Sequence, residues 1–320
     1  MTKYIFSILS LLSLCLYVYA VPVYLDTEND MQESATFMVE SGDGLHTVAG
    51  KLSKQGFIKT PDLFSLHVLI RRQSGALKAG EYIIPPHSTP EDIITILTNG
   101  KTIQHAITVP EGLTVHEIKN IVTSSSVLSG NISIAAVEGT LLPETYNVTR
   151  DTSRDAFLQR MQNDMTALLT DSWGKRSALC DLKSMDDVII LASIVEKETP
   201  NAHERPHVAG VYLNRLRKGM PLQADPTVIY AKIAAEGTFE GPLLLKDLKI
   251  DSAFNTYLNA GLPPTAICNP GRASIEAVLH PDETDDLFFV ADGTGGHVFA
   301  KTYREHQKNH QKWRKIRKSR

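Results

Sequence analysis

Cysteine is scarce in this 320-residue chain, and with only Cys15, Cys180 and Cys268 a disulfide framework is excluded. The cysteine spacing fits neither a zinc site nor CxxC redox chemistry, and nothing in it requires a bridge between Cys180 and Cys268. Net charge is nearly absent too: the formal value of −3 offers no general attraction to nucleic acid or anionic lipid. No metal or cofactor is indicated. His306 and His310 stand four residues apart, but without an acidic or cysteine partner in the motif they read as a solvated helix face. Wholesale disorder is also excluded, since 42% hydrophobic and 22% charged residues are ordinary globular proportions. The length suffices for two domains. What charge there is lies unevenly: seven of the last 13 residues, from Lys308 on, are Lys or Arg, the pattern of a solvated helix end.

From Tyr4 to Leu25 there is no charged residue, and those 22 residues are long enough to cross a bilayer as a helix. The competing reading is a signal peptide cleaved after Val18-Tyr19-Ala20. Lys3 precedes the run, and Asp26, Glu28, Asp30 and Glu33 follow it. As an anchor it leaves the short N-terminus in the cytoplasm and everything after residue 25 outside.

Residues 26–105 carry the signals of a small α+β module. Phe37-Met-Val-Glu-Ser alternates as a strand does, and His46 to Gln55 is a short helix stopped by Gly56. Thr60-Pro61-Asp62 and Thr89-Pro90-Glu91-Asp92 each cap a helix with proline at its first position, and Gly80 to Pro85 is a strand between them. This order resembles a LysM-like domain, a fold associated with binding the glycan of peptidoglycan. A structural spacer fits the same pattern.

Beyond a strand at Gln104 to Val109, helices dominate. Thr114 and Glu117 form a capping box, Ser153 caps a long helix from Arg154, and Glu204 to Lys218 repeats apolar residues at helical spacing up to Gly219. Asp225-Pro226 opens another helix, with Asp225 as its cap. Residues 254–271 hold too many Pro, Gly and Asn for regular structure, and a loop of that length is more often functional than not. Two short strands around Gly293-Thr-Gly-Gly296 make a hairpin.

The stretch Val188 to Thr199 is apolar and ends in two glutamates ahead of Pro200. At about 100° per residue, Leu191, Ile194 and Val195 share a face with Glu198, while Glu196 points to the opposite side, where it is expected to be solvated. A carboxyl on a buried stripe is costly to ionise, so the pKa of Glu198 rises, as a general acid near neutral pH requires. The alternative is a last turn frayed into solvent.

Several blocks then follow in order: Ala192-Ser-Ile-Val-Glu-Lys-Glu-Thr199, Asn214-Arg-Leu216, Leu222-Gln-Ala-Asp-Pro-Thr-Val-Ile-Tyr230, Asn255-Thr-Tyr257 with Gly261-Leu-Pro-Pro264, and Phe289 to Gly293 with Gly296-His297. Together they resemble the endolytic murein transglycosylase (YceG-like) family. Leu141-Leu-Pro-Glu-Thr-Tyr146 is similar to a further family segment, although Leu141 and Leu142 stand where aromatic residues are commoner, a departure expected to alter glycan contacts.

The resemblance implies cleavage of the β-1,4 bond between N-acetylmuramic acid and N-acetylglucosamine without water, with Glu198 as the single catalytic carboxyl. Gln223, Thr227, Tyr230, Asn255 and Tyr257 are expected to bind the sugar, with helix capping and loop packing as their alternative. Expected partners are peptidoglycan strands, a cell-wall synthase and the bacterial inner membrane. The resulting architecture is a helix-rich α+β protein: an anchor over residues 1–25, a LysM-like module over 26–105 and a catalytic domain over 106–320 with a hairpin near its end. The competing functions are a hydrolytic muramidase using Asp225 or Glu144 as second carboxylate, and a non-catalytic peptidoglycan-binding scaffold. Glu204 and His203 are expected at the surface.

Overall fold

The computed structural model describes residues 21–318, which fall into two compact units. The first comprises the chain up to Ala106 together with Asn147–Thr152. Its strands β1 (Ala35–Val39) and β2 (Gly80–Ile84) pair antiparallel, with Ala35 opposite Ile84 and Val39 opposite Gly80. Period-two alternation sends Phe37, Val39, Tyr82 and Ile84 inward. Between the strands lie α1 (Leu45–Lys54) and α2 (Pro61–Ile70), and α3 (Pro90–Asn99) follows β2. The strand–helix–helix–strand order read from the sequence is therefore present. The Thr89 hydroxyl accepts from Asp92 N at 3.2 Å and Asp92 Oδ2 accepts from Thr89 N at 2.9 Å, a closed capping box that starts α3. The core packs Val48, Leu52, Phe64, Ile93 and Leu97 around Phe37, which meets Phe57 edge to face at 5.6 Å. The apolar run from Tyr4 lies outside the described residues as far as residue 20. Residues 21–25 are helical, with Tyr24 in this core, and no helix among the described residues is long and apolar enough to cross a membrane.

The second unit holds Ile107–Tyr146 and the chain from Ser153 onward. The short strands β3 (His105–Thr108), β5 (Thr145–Val148) and β6 (Thr152–Ser153) lie where the chain passes from one unit to the other, and β4 (Leu128–Ser129) lies within the second. Helices α4 (Val115–Ser124), α5 (Arg154–Trp173), α6 (Met185–Glu198), α7 (Arg205–Arg217), α8 (Asp225–Glu236) and α9 (Arg272–Leu279) make up most of the rest. A hairpin of β7 (Phe288–Ala291) and β8 (His297–Ala300) precedes α10 (Tyr303–Lys318). The turn between the strands uses Gly293 and Gly295 at φ 86° and 108°, a region open to glycine at little cost. The unit is thus helix-rich α+β with a hairpin near its end.

Helix α6 is the centre of this unit, and α5, α7, α8 and α9 all pack on it. Its Val188, Leu191, Ala192, Ile194 and Val195 are fully buried against Val208, Tyr212, Ile275 and Val278. Each of the Val, Leu and Ile side chains contributes about 1.5–3 kcal/mol on leaving water. Ser184 and Asp187 close a capping box at its start. Pro200 ends it, because the residue before proline is pushed out of the α region, and Thr199 sits at φ −134°, ψ 124°. Two sequence expectations need correction. Asp225 is the first residue of α8 and not its cap, which is Ala224. Leu141 and Leu142 are 0% and 2% exposed, so they are core and meet no glycan. Cys180 and Cys268 are free thiols, both buried.

Candidate active site

Glu198 closes α6 on the stripe shared with Leu191, Ile194 and Val195, as the helical period places it. The residue is half-buried, and its Oε2 is buried with no hydrogen-bond partner among the described residues. Burial, and then the negative charge of Asp225, push its carboxyl up to about 7, against the Tyr212 hydroxyl and Arg215, which favour the ionised form. A carboxyl in that state can hold a proton at neutral pH and release it to a bound acceptor.

Tyr212 and Arg215 stand three residues apart on α7 and so share the face turned to Glu198. Tyr212 is 1% exposed and meets Phe289 of β7 edge to face at 5.7 Å; burial holds its hydroxyl well above the usual phenol range. Arg215 acts as a fork. Its Nε donates to Leu287 O at 2.6 Å, while Nη1 donates to Leu222 O at 2.8 Å and reaches Gln223 Oε1 at 3.4 Å. The guanidinium lies 5.1 Å from the Phe288 ring centre. One side chain thereby ties the hairpin to the segment that carries Gln223.

Gln223 is exposed and held at φ 53°, a left-handed conformation that costs a non-glycine residue about 1 kcal/mol or more. Its N–H donates to Thr256 O at 3.1 Å, which links this turn to the 254–259 loop. From that loop the Tyr257 hydroxyl donates to Asp225 Oδ1 at 2.5 Å. Gln223, Asp225 and Tyr257 are thus gathered around the groups that face Glu198. Thr227 and Asn255 are not presented to solvent, each being 0% exposed. Thr227 Oγ1 bonds Ala224 O at 2.7 Å and Thr256 Oγ1 at 2.9 Å, and Asn255 Nδ2 donates to Leu248 O and Ile250 O. They hold the loop and the start of α8 in shape from beneath. Tyr230 is half-buried, 4.9 Å from the Phe254 ring, and lines a different groove of about 620 Å³ beside Lys197, Ile229 and Phe239.

Residues 37–312 match the YceG-like family. The chain belongs to that family. It is 32% identical, over 93% of its length and 89% of the relative's, to an endolytic murein transglycosylase of Bacillus subtilis (strain 168). An endolytic murein transglycosylase of Streptococcus pneumoniae serotype 2 is 26% identical over 92% of this chain, which spans 61% of that longer relative. The crystal structure of a yceG-like protein from Listeria monocytogenes superposes with a TM-score of 0.54 at 30% identity, covering 87% of this chain and 99% of that one.

In this YceG-like chain the other glutamate of the pair departs from its expected setting. Glu196 is not solvated: its side chain is 6% exposed, with Oε1 2.9 Å from Arg205 Nη2 and Oε2 accepting from Gly271 N at 3.0 Å. The face opposite Glu198 is covered by the start of α7 and the start of α9, which a helical wheel of α6 alone does not contain. Glu111 joins the same cation, its Oε2 3.6 Å from Arg205 Nη1. A Cβ at position 271 would stand 1.8 Å from Glu111 Oε1, so any larger residue there would displace the Glu111 carboxylate from its place beside Arg205.

Packing also places three further groups of this YceG-like chain. Glu204 is 19% exposed and accepts from His297 N at 3.0 Å and from the His297 ring at 2.7 Å, so it anchors the hairpin and is no free surface group; His203 is exposed. Glu144 is exposed, 3.8 Å from Arg272 Nε. His306 stacks on Phe288 at 5.3 Å and His310 on Trp313 at 5.7 Å, and among the described residues no group of His, Cys, Asp and Glu is placed to hold a metal. The site residues that sequence reasoning passed over are Tyr212 and Arg215. Arg215 lies within the Asn214-Arg-Leu216 block, and Tyr212 recurs at helical spacing on the same helix.

Proposed function

We propose that this chain cleaves the β-1,4 bond between N-acetylmuramic acid and N-acetylglucosamine within peptidoglycan strands, as an endolytic lytic transglycosylase. The observation that carries this reading is the protonatable Glu198, half-buried with an unpartnered Oε2 and a pKa of about 7, beside Tyr212, Arg215 and Tyr257. Its protonated carboxyl gives a proton to the glycosidic oxygen, and the N-acetylglucosamine side departs as an alcohol. The resulting carboxylate takes the proton of the muramic acid C6 hydroxyl, whose oxygen closes on C1 to leave a 1,6-anhydro end. No water enters, and one carboxyl serves both steps. Positive charge developing at C1 is met by Asp225, whose carboxylate the Tyr257 hydroxyl holds at 2.5 Å. Gln223 and Tyr257 orient the sugar at the mouth of the site, and Tyr230 contacts more distant parts of the strand. Cutting within strands sets their length and so ends elongation of nascent glycan. The apolar N-terminal segment anchors the chain in the inner membrane with the catalytic unit outside the cytoplasm, and the first unit serves as a LysM-like module close to a cell-wall synthase.

Asp225 also favours a second reading. A hydrolytic muramidase pairs two carboxyls roughly 5 to 9.5 Å apart, and Asp225 is close enough to raise the pKa of Glu198. The decisive experiment is mass spectrometry of products from purified, uncrosslinked strands. Anhydro ends support the transglycosylase; ends heavier by one water establish hydrolysis, and an absence of cleavage refutes both.

A further inference from the structure

A cleft of about 770 Å³ runs between Tyr257 and Asp225 on one side and one face of α10 on the other. The helix contributes His310, Trp313, Arg314 and Arg317, at spacings of three, four and seven residues that bring them onto a single stripe. Arg314 and Arg317 are exposed and make no ion pair among the described residues. Trp313 is half-buried, stacked on His310 at 5.7 Å with an interplanar angle of 30°, and the Arg317 guanidinium lies 5.4 Å from its ring centre. This aromatic stack limits the freedom of the arginine before anything binds. Asp225, an acid in the same lining, is already engaged by the Tyr257 hydroxyl at 2.5 Å. Two arginines against the single carboxylate of Asp225 leave the cleft lining with a net positive charge, next to the residues that surround Glu198. A neutral sugar does not call for that charge, whereas a planar guanidinium matches a carboxylate in a two-point contact.

We propose that this face of α10 is a carboxylate-recognition subsite, in which Arg314 and Arg317 receive the free carboxylates of peptide branches on the glycan strand while Trp313 supplies an apolar wall. The inference rests on the murein-cleaving reading above and adds a specificity determinant to it. Trp313, Arg314 and Arg317 lie beyond the segment matched to the family, which ends at residue 312. Lys312 and Lys315 on the same helix do not line the cleft, so of the basic tail read from the sequence as solvated, Arg314 and Arg317 face the cleft and these lysines do not.

The test uses the full chain and two forms of one substrate: uncrosslinked peptidoglycan strands with their stem-peptide carboxylates free, and the same strands with those groups converted to primary amides. Wild type is expected to show a KM roughly fivefold lower on the free-acid strands with similar kcat, a difference in keeping with two partly exposed ion pairs. Arg314→Gln/Arg317→Gln should lose that preference and keep its kcat, since neither side chain is among the groups that act on the Glu198 carboxyl. An active wild type that treats both strands alike, or a double variant that retains the preference, overturns the subsite and leaves the murein-cleaving reading standing. A wild type that cleaves neither form overturns that reading and the subsite with it.

Discussion

Glu196 and Arg205 form a buried ion pair, Oε1 to Nη2 2.9 Å, with their side chains only 6% and 9% exposed. The pair joins the last turn of α6, which carries Glu198, to the first turn of α7, which leads to Tyr212 and Arg215. Removing one partner of such a pair costs about 3–5 kcal/mol, because the other charge stays buried. Glu111, 3.6 Å from the same guanidinium, offsets part of that. Glu196→Gln is therefore expected to lower stability by about 2–3 kcal/mol, read from urea denaturation. A neutral result would show that Glu111 alone compensates Arg205.

Glu198→Gln separates activity from stability. Product formation should vanish, because an amide neither donates nor takes back the proton. Stability should move the other way. A carboxyl raised from 4.5 to about 7 holds more protons folded than unfolded, so wild type loses stability as pH rises through that window. The amide has no such loss, and the variant should be more stable than wild type by roughly 1–3 kcal/mol at pH 8 and about equal to it at pH 4. Melting curves at the two pH values check the sign.

Asp225→Asn distinguishes an electrostatic role from a second catalytic carboxyl. The Asp225 charge opposes ionisation of Glu198, so its removal lets Glu198 lose its proton at lower pH. The alkaline fall of kcat/KM should then begin below the wild-type value of about 7, with activity at pH 5.5 retained within about tenfold. Loss of several orders of magnitude at every pH would mark Asp225 as a second catalytic carboxyl.

Gln223→Gly tests the strained turn. Glycine adopts φ 53° at little cost, so stability should rise by up to about 1 kcal/mol despite the lost 3.4 Å contact with Arg215. If Gln223 orients the sugar, KM rises at the same time while kcat changes little. A variant with unchanged KM would confine Gln223 to a structural role.

Much of the chain could be read from local chemistry. The caps at Thr89 and Thr114 placed the starts of α3 and α4, and Gly293 with its neighbours placed the hairpin, because caps and turns act over about four residues. The helical period likewise put Glu198 on the stripe of Leu191, Ile194 and Val195, since that relation is internal to one helix.

Other features depend on partners remote in the chain. Arg215 bonds a carbonyl 72 residues ahead, Tyr257 reaches Asp225 across 32, and Gly271 meets Glu196 across 75. Burial of Glu196, the scaffolding parts of Thr227 and Asn255, and the face that α10 turns to the cleft arise where separate elements meet. A helical wheel shows which way a side chain points; whether water or another helix stands there is set by packing, and packing decides the cost of every charge it encloses.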